Sequence, residues 1–373
     1  MLQRLTRARY ADPRDDPRQN GQLAKMAGRR GQVDEVGRAK PAGAAAVSAA
    51  PPAADARLRL FDEAPPPAPI AEFLHTPFTL TQAQIEEYKE RGHIKLEQVI
   101  SGEPLRYYRE LIGLAVADVF EVNTPPLAHK VCTRSFSFRC VLTPMSLLFQ
   151  GADRSNLSVY QESFLQAFNL WPRYPAIKTF VHSFRFADIA RQLMEVDGVR
   201  LWFDQALYKE AGSRHTDYHQ DAGLWPVHPP EKTTTIWMAM GDVPKERGAM
   251  SFASGSHLLE QGSTYVDLFL QDVGDDFGAD DALPLPGYLD GFDWDQVPLA
   301  AGDCTFHSGL IYHRAEANTT AQVREGMTIV YMAHDCVRDW PETNPTAGAR
   351  HDFSTEGIAR GGLLNHPTTP RLV

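Results

Sequence analysis

The second half of the chain consists of short apolar runs separated by Gly, Pro and Asp, with no helical pattern between them. Four of these runs have the composition of β-strands: residues 199–209 (VRLWFDQALYK), 233–243 (TTTIWMAMGDV), 302–307 (GDCTFH) and 325–334 (EGMTIVYMAH). Short strands with turn signals and no alternating helices are typical of a β-sandwich or barrel. The predicted fold is therefore mainly β with flanking helices, arranged as a double-stranded β-helix (jelly-roll, cupin-like) barrel.

Helix signals lie before this β-rich half. Thr81 and Gln84 form a capping box, and Gly92 supplies a left-handed stop, so a helix is predicted over residues 82–91. Another helix is predicted near residues 184–194. These helices are expected to pack outside the barrel.

Composition divides the chain. Residues 1–70 are rich in Ala, Pro, Gly and Arg and almost lack aromatic and β-branched residues, so they are predicted to form a disordered leader. Residues 71–373 are predicted to form a single jelly-roll domain. Within it, an insertion around residues 260–296 carries many acids and no Lys or Arg from 260 to 295. The insertion is interpreted either as a solvated connection between strands or as a lid over the barrel mouth.

Charge and hydropathy exclude several classes of protein. The formal net charge of −10 argues against a nucleic-acid partner, which would require a basic surface. No apolar run approaches the ~18 residues of a membrane span, so no membrane partner is expected. The N-terminus has no apolar secretory region, and the cysteines show no zinc spacing, so a reducing, cytoplasmic location is predicted. Those cysteines are Cys132, Cys140, Cys304 and Cys336.

The predicted strand 199–209 places two polar side chains toward the barrel interior. Its alternation puts six residues on one face: Val199, Leu201, Phe203, Gln205, Leu207 and Lys209. Four of them are apolar and mark the face as buried, and a buried amide or ammonium needs a partner. Gln205 and Lys209 therefore either reach solvent at the strand end or line a site for an anionic ligand.

The segment SRHTDYHQDAGLWP contains two overlapping His-x-Asp pairs, His215/Asp217 and His219/Asp221. A His and a carboxylate two residues apart on a strand can both reach one metal ion. A second His from elsewhere would complete the 2-His-1-carboxylate triad of non-haem Fe(II) oxygenases. Parity alone does not choose between the two pairs.

The segment from residue 300 to 334 supplies the other candidates. His307 and His313 are the candidate third ligands. Arg324 begins a predicted strand and shares a face with Gly326 and Thr328, whose small side chains leave room in front of the guanidinium. Such a planar, bidentate donor suits a dicarboxylate. The alternative is an ordinary ion pair between Arg324 and an acidic loop.

Three segments of the chain carry a resemblance to a known family: YHQDAGLWP, IWMAMGDVPKERGAMSFASGSH and HRAEANTTAQVR. In this order they resemble segments of the phytanoyl-CoA hydroxylase-like (PhyH) family of 2-oxoglutarate oxygenases. The resemblance runs from about residue 78 to 335. It implies that the HQD pair binds iron, which favours His219 and Asp221. It also implies that the distal iron ligand is His313 rather than His307.

The resemblance further implies the cosubstrate residues. The family arginine that binds the far carboxylate of 2-oxoglutarate corresponds to Arg324. Trp237 is expected beside the cosubstrate, and Lys209 corresponds to a lysine that often contacts it. Gln205, on the same strand face as Lys209, is the fourth candidate cofactor-binding residue.

The implied activity is that of an Fe(II)- and 2-oxoglutarate-dependent dioxygenase, which uses O2 to oxidise a small molecule and releases succinate and CO2. Asp221 favours hydroxylation, desaturation or ring chemistry over halogenation, because related halogenases lack this carboxylate. Two alternatives remain: a cupin-type metal enzyme without 2-oxoglutarate, such as an isomerase, and a non-catalytic jelly-roll binding module. If the acidic insertion is a lid, its negative potential favours a neutral or cationic substrate over a CoA thioester.

Overall fold

Two antiparallel sheets carry most of the strands. The computed structural model describes residues 57–120, 165–259, 287–339 and 352–373. Its strands are β1 (His93–Leu96), β2 (Leu165–Phe168), β3 (Val199–Lys209), β4 (Thr216–His219), β5 (Val227–His228), β6 (Thr233–Ala239), β7 (Met250–Ala253), β8 (Trp294–Val297), β9 (Cys304–Ser308), β10 (His313–Ala315), β11 (Arg324–Ala333) and β12 (Val337–Arg338).

The strand order explains where a site can form. The major sheet has the order β1-β9-β6-β11-β3-β2, and the minor sheet has the order β4-β10-β7-β8. A two-stranded sheet pairs β12 with β5. Neighbouring strands in both larger sheets run antiparallel, and their crossovers are those of a jelly roll. The predicted mainly-β jelly-roll class is confirmed.

The α-helices of the described ranges flank these sheets: α1 (Ala68–His75), α2 (Gln82–Arg91), α3 (Gly102–Phe120), α4 (Leu170–Arg173), α5 (Pro175–Val181), α6 (Phe184–Met194) and α7 (Asp352–Thr355). Helix α2 has the predicted capping box, in which the hydroxyl of Thr81 accepts from the backbone N–H of Gln84, and it ends at Gly92 with φ of 76°. Within the described ranges, no helix combines the length and apolar character needed to cross a membrane.

The described fold includes the end of the predicted leader. Residues 1–56 of the proposed leader lie outside the described ranges, but residues 57–70 contribute to the core. Leu60 and Ile70 are fully buried against the helices. Residues 57–70 therefore belong to the folded part of the chain, because a few well-placed apolar side chains are enough to bury such a segment. The rest of the predicted leader stays a prediction.

Each face of the major sheet packs against a different layer. One face buries Ile236, Met238 and Ile329 against the helices in the largest hydrophobic cluster. On the opposite face, Trp237 and Ala239 pack in a separate cluster with residues of the minor sheet and its connections. The space between the two sheets is where the candidate site residues meet.

A β-bulge changes the predicted face of β3. Val330 lies opposite Phe203, but the next residue, Tyr331, lies opposite Leu201, so Trp202 is an extra residue on β3. An inserted residue reverses the alternation of side chains. Val199 and Leu201 thus join the core on the helix side, whereas Phe203 and Leu207 pack in clusters on the opposite face of the sheet. The predicted common face is wrong before the bulge and correct after it.

Two predictions fall largely outside the described residues. Most of the acidic insertion, residues 260–286, is not described, so its predicted role as a lid stays a prediction. Cys132 and Cys140 also lie outside the described ranges. The other two cysteines, Cys304 and Cys336, are buried and free.

Candidate metal centre

The minor sheet places two histidine rings next to each other. Strands β4 and β10 pair antiparallel with His219 directly opposite His313, and the two ring centroids are 4.2 Å apart. On the other side of β10, His313 lies opposite Phe252 of β7. Direct cross-strand partners bring their side chains together on one face.

Asp221 reaches the same point from a turn. The chain leaves β4 after His219, and Asp221 takes an α-helical conformation (φ −64°, ψ −46°) before a short 3-10 helix over Ala222–Leu224. The backbone N–H of Ala222 donates to Gly309 O at 2.8 Å and anchors the turn. A side chain on Gly309 would begin 2.1 Å from the hydroxyl of Thr233, so the close approach requires glycine. Asp221 therefore does not lie on an extended strand, as the parity argument assumed.

The three candidate ligands converge. Asp221 Oδ1 lies 3.8 Å from His219 Nε2 and 3.8 Å from His313 Nε2. Among the residues that the structure describes, these three form the only group of His, Cys, Asp or Glu whose ligand atoms all lie within 4.8 Å of one another. The structure thus brings together the set that the family resemblance favoured.

The histidine tautomers suit metal binding. His219 Nδ1 is 2.9 Å from Asp217 O, and His313 Nδ1 is 3.2 Å from Ile311 O. Because a carbonyl oxygen only accepts, each Nδ1 carries the proton, and each Nε2 keeps its lone pair for a metal.

The charge state of the cluster also fits. Burial acts to raise the pKa of Asp221, but the nearby rings of His313, His307 and His219 together hold this pKa below its usual value. Burial, with a further contribution from His219, holds the pKa of His313 well below its usual value. A charged carboxylate beside a neutral imidazole is the protonation state that a divalent metal requires.

The other His-x-Asp pair makes a separate cluster. Asp217 Oδ1 lies 3.2 Å from His215 Nε2, and Asp217 Oδ2 lies 3.3 Å from Arg214 Nη2. Neither His215 nor Asp217 joins the group of converging ligand atoms. His307 is placed differently again: its Nε2 lies 3.2 Å from Asp221 Oδ2, next to the candidate centre but outside that group.

Arg324 is a buried cation without a carboxylate partner in the described part of the chain. Only 3% of the residue is exposed. Its Nη1 donates to Gly248 O at 2.7 Å, its guanidinium carbon lies 5.1 Å from the ring centroid of Trp237, and its buried Nε has no partner. Burial lowers the pKa of Arg324 to about 9. Such a group is stabilised by an anionic ligand.

A polar row crosses the major sheet beside Arg324. Thr328 lies opposite both Gln205 and Trp237, and Trp237 lies opposite Thr305. Gln205 Oε1, Trp237 Nε1 and Thr305 Oγ1 are all buried without a partner. Gly326 leaves space for the Trp237 ring, because a side chain there would begin 2.4 Å from it. Buried, unpaired polar atoms on one face indicate a site for a polar ligand or water.

Lys209 is fully buried and lies directly opposite Arg324. Its Nζ donates to Arg214 O at 2.6 Å and to Thr216 Oγ1 at 3.1 Å, which ties the end of β3 to the start of β4. Burial, followed by the charges of Arg324 and Arg214, holds the pKa of Lys209 well below its usual value. The expected contact between Lys209 and a cosubstrate stays a prediction.

Thr235 is a site residue that the sequence argument missed. Its hydroxyl donates to Asp221 Oδ2 at 3.0 Å. The available signal was parity, because Thr235 and Trp237 are two residues apart on β6 and so share its inward face.

The comparisons with known proteins agree with this geometry. Residues 174–326 match the family model of the phytanoyl-CoA dioxygenases (PhyH). "Phytanoyl-CoA dioxygenase domain-containing protein 1 homolog" of Caenorhabditis elegans is 26% identical over 190 residues, which are 46% of this chain and 64% of that protein. The chain thus spans less than two-thirds of that relative's length. "Methylphosphonate hydroxylase" of Gimesia maris is 24% identical over 255 residues, 68% of this chain and 82% of that protein.

Among solved structures, the non-heme alpha ketoglutarate dependent carbocyclase SnoK from nogalamycin biosynthesis is similar, with a TM-score of 0.56 and 23% identity. The superposition covers 80% of this chain and 100% of SnoK. At this level of identity the likeness establishes the shared fold.

Proposed function

We propose that this protein is a non-haem Fe(II)- and 2-oxoglutarate-dependent dioxygenase, because residues 174–326 match the family model of the phytanoyl-CoA dioxygenases (PhyH). In the proposed reaction, O2 and 2-oxoglutarate are consumed, succinate and CO2 are released, and one oxygen atom enters a small-molecule substrate. The proposed iron ligands are His219, Asp221 and His313.

One observation carries the proposal. The two imidazole Nε2 atoms and Asp221 Oδ1 face a common point between the two sheets. Arg324 lies on the face of the major sheet that lines the same space, and it is a buried cation that no carboxylate of the described residues neutralises. A metal enzyme without 2-oxoglutarate would need the first feature only. The buried guanidinium, with its unpartnered Nε, calls for an anion as well.

Each residue has a role that its contacts support. Bound iron would supply the activation of dioxygen, with three positions open for cosubstrate and O2. Arg324 would bind the distal carboxylate of 2-oxoglutarate in a site from which water is largely excluded, where a charge-assisted hydrogen bond is strong. Trp237, which stacks on that guanidinium, and Gln205 and Thr305 in the same row would line the path between Arg324 and the iron.

The test is turnover with defined cosubstrates. Purified protein with Fe(II), ascorbate and 2-oxoglutarate is screened against a panel of metabolites, with succinate and CO2 as the readout. We expect succinate release that depends on both Fe(II) and 2-oxoglutarate and rises with the correct substrate. Absence of 2-oxoglutarate binding to metal-loaded protein would favour the isomerase-like alternative, and absence of metal binding would favour a binding module.

Hydroxylation is the proposed outcome. As an iron ligand, Asp221 would fill the position that is left open for halide in related halogenases, which lack this carboxylate. The SnoK neighbour is described as a carbocyclase, so ring formation is the competing outcome on this fold. Mass spectrometry of the product separates the two: hydroxylation adds one oxygen atom, and carbocyclisation removes two hydrogen atoms.

We further propose a neutral or cationic substrate and a cytoplasmic location. The first rests on the acidic insertion around residues 260–296, and the second on the buried, free thiols of Cys304 and Cys336, which suit a reducing compartment. The Gimesia maris relative is named for methylphosphonate, an anion, so matched anionic and cationic compounds are the arms of the substrate test. Faster turnover of a phosphonate or CoA ester than of its amine counterpart would overturn the proposed charge preference.

A further inference from the structure

The two oxygens of Asp221 have different surroundings. Oδ1 faces His219 Nε2 and His313 Nε2 at 3.8 Å each, beyond hydrogen-bond range. Oδ2 accepts from Thr235 Oγ1 at 3.0 Å and lies 3.2 Å from His307 Nε2. Since an ionised carboxylate only accepts, His307 must carry its proton on Nε2 to make this contact.

The two donors come from the sheet opposite the ligands. Thr235 on β6 and His307 on β9 are direct cross-strand partners in the major sheet, whereas His219 and His313 belong to the minor sheet. Thr235 is 3% exposed and His307 is 1% exposed. Asp221 therefore bridges the gap between the sheets, with one oxygen bound to the major sheet and the other facing the two imidazoles.

Phe252 restricts the His307 ring. Its centroid lies 5.3 Å from that of His307 and 6.1 Å from that of His313. His93, the cross-strand partner of His307 on β1, stacks on the same phenyl ring at 4.6 Å. An imidazole packed in this way has little freedom to rotate, so its N–H stays directed at Asp221.

We propose that Thr235 and His307 are positioning residues that make Asp221 a monodentate iron ligand through Oδ1. This inference rests on the proposed function. A carboxylate with both oxygens free can chelate a metal and occupy two coordination positions. With Oδ2 held by two donors, Asp221 would occupy one position on a bound iron, which would leave the others to 2-oxoglutarate and O2.

The geometry separates this role from direct ligation by His307. A ligand would direct its Nε2 toward the point that Oδ1 and the other two imidazoles share. His307 Nε2 instead meets the oxygen on the other side of the carboxylate, the same oxygen that Thr235 holds. Its ring nitrogens are also absent from the group of ligand atoms that lie within 4.8 Å of one another.

The first readout is metal affinity, measured anaerobically with Co(II) as the probe. His307→Leu and Thr235→Val remove the donors at similar volume, and each should weaken Co(II) binding by about 10- to 100-fold, the usual effect of removing an outer hydrogen-bond partner of a ligand. His307→Gln can place an amide N–H near the position of Nε2, and Thr235→Ser keeps the hydroxyl. Both conservative variants should regain most of the affinity.

The second readout is 2-oxoglutarate affinity at saturating Co(II). If Oδ2 becomes free to bind the metal, 2-oxoglutarate must displace it, so its Kd should rise in His307→Leu and Thr235→Val, and the Co(II) visible spectrum should change before the cosubstrate is added. Thr234→Val is the matched control. It makes the same change on the next residue of β6, whose hydroxyl bonds to Tyr88 and to His307 O on the other face, and it should leave both affinities near wild type.

Three outcomes are distinguishable. If wild type binds no Co(II), the proposed function fails. If wild type binds Co(II) and Asp221→Ala does not, but His307→Leu and Thr235→Val behave as wild type, the function stands and the positioning role is wrong. If His307→Leu loses affinity as completely as Asp221→Ala and His307→Gln does not restore it, His307 is a ligand, and the positioning role is again wrong.

Discussion

The two His-x-Asp pairs between residues 215 and 221 have the same sequence pattern but opposite surroundings. In the first pair, both carboxylate oxygens of Asp217 are engaged, by its own histidine and by Arg214. In the second pair, one oxygen of Asp221 faces two imidazole nitrogens at 3.8 Å with no hydrogen bond between them. The first cluster neutralises itself, and the second leaves lone pairs directed at one point.

Two arginines, Arg214 and Arg324, differ in the same way. Arg214 contacts Asp217 and is balanced by it. Arg324 is buried with no carboxylate of the described residues beside it. A binding site therefore differs from a structural ion pair in what it leaves uncompensated, and the motif alone does not reveal this.

The largest expected effect separates the two aspartates. Asp221→Ala should weaken Co(II) or Fe(II) binding by more than about 100-fold, beyond the loss expected for an outer hydrogen-bond partner, and should abolish turnover. Asp217→Ala should leave metal affinity within a few-fold of wild type, because its carboxylate faces Arg214 and His215. Isothermal titration calorimetry on both variants, after a thermal melt to check folding, tests the contrast. Equal losses would show that the two clusters act as one site.

Part of the fold and part of the candidate site could be predicted from sequence. The helix over Gln82–Arg91 and the strand over Val199–Lys209 have the predicted bounds, because capping and alternation are local signals. The choice of His219 and Asp221 over the first pair came from the family resemblance, since parity was equal for both.

Other features depend on contacts distant in sequence. The bulge at Trp202 arises from the register between β3 and β11, and the turn at Asp221 is held by Gly309. Thr235 acquires its role only when β6 lies beneath that turn. No local pattern encodes such pairings, so the sequence predicted which residues matter better than it predicted how they are held.

The next effect concerns the two arginines. Arg324→Lys keeps the charge but loses the bidentate fork, so the Kd for 2-oxoglutarate should rise by about tenfold or more, since a hydrogen bond to a charged group contributes about 1.5–3 kcal/mol and about 1.4 kcal/mol is a factor of ten. Metal affinity should stay close to wild type. Arg214→Lys is the matched change in the self-neutralised cluster and should leave the cosubstrate Kd unchanged. A larger rise in the Kd for Arg214→Lys than for Arg324→Lys would show that Arg214, and not Arg324, binds the anion.

A pH series tests the same assignment without mutation. Burial acts to lower the pKa of Arg324, but a guanidinium keeps its proton in proteins across the ordinary pH range. If Arg324 holds the dicarboxylate, the Kd for 2-oxoglutarate should therefore stay flat as the pH is raised above 7, in wild type and in the Arg214→Lys variant. A Kd that rises with pH would instead point to a lysine as the anion-binding group, because burial and neighbouring charges hold the pKa of Lys209 well below its usual value.

The smallest expected effect concerns Lys209, which lies between the two arginines. It lies opposite Arg324 across the β3–β11 pair, yet its Nζ donates to Arg214 O and to Thr216 Oγ1. An ammonium has three donors, and these two bonds direct it toward the self-neutralised cluster. Its depressed pKa also reduces the charge it can offer an anion. Lys209→Met should therefore raise the Kd for 2-oxoglutarate by less than about threefold, compared with about tenfold for Arg324→Lys. The family resemblance implies a direct contact instead, and then Lys209→Met would match Arg324→Lys. Titration of both metal-loaded variants with 2-oxoglutarate decides whether Lys209 binds the anion together with Arg324 or only ties β3 to β4, the strand that ends at His219.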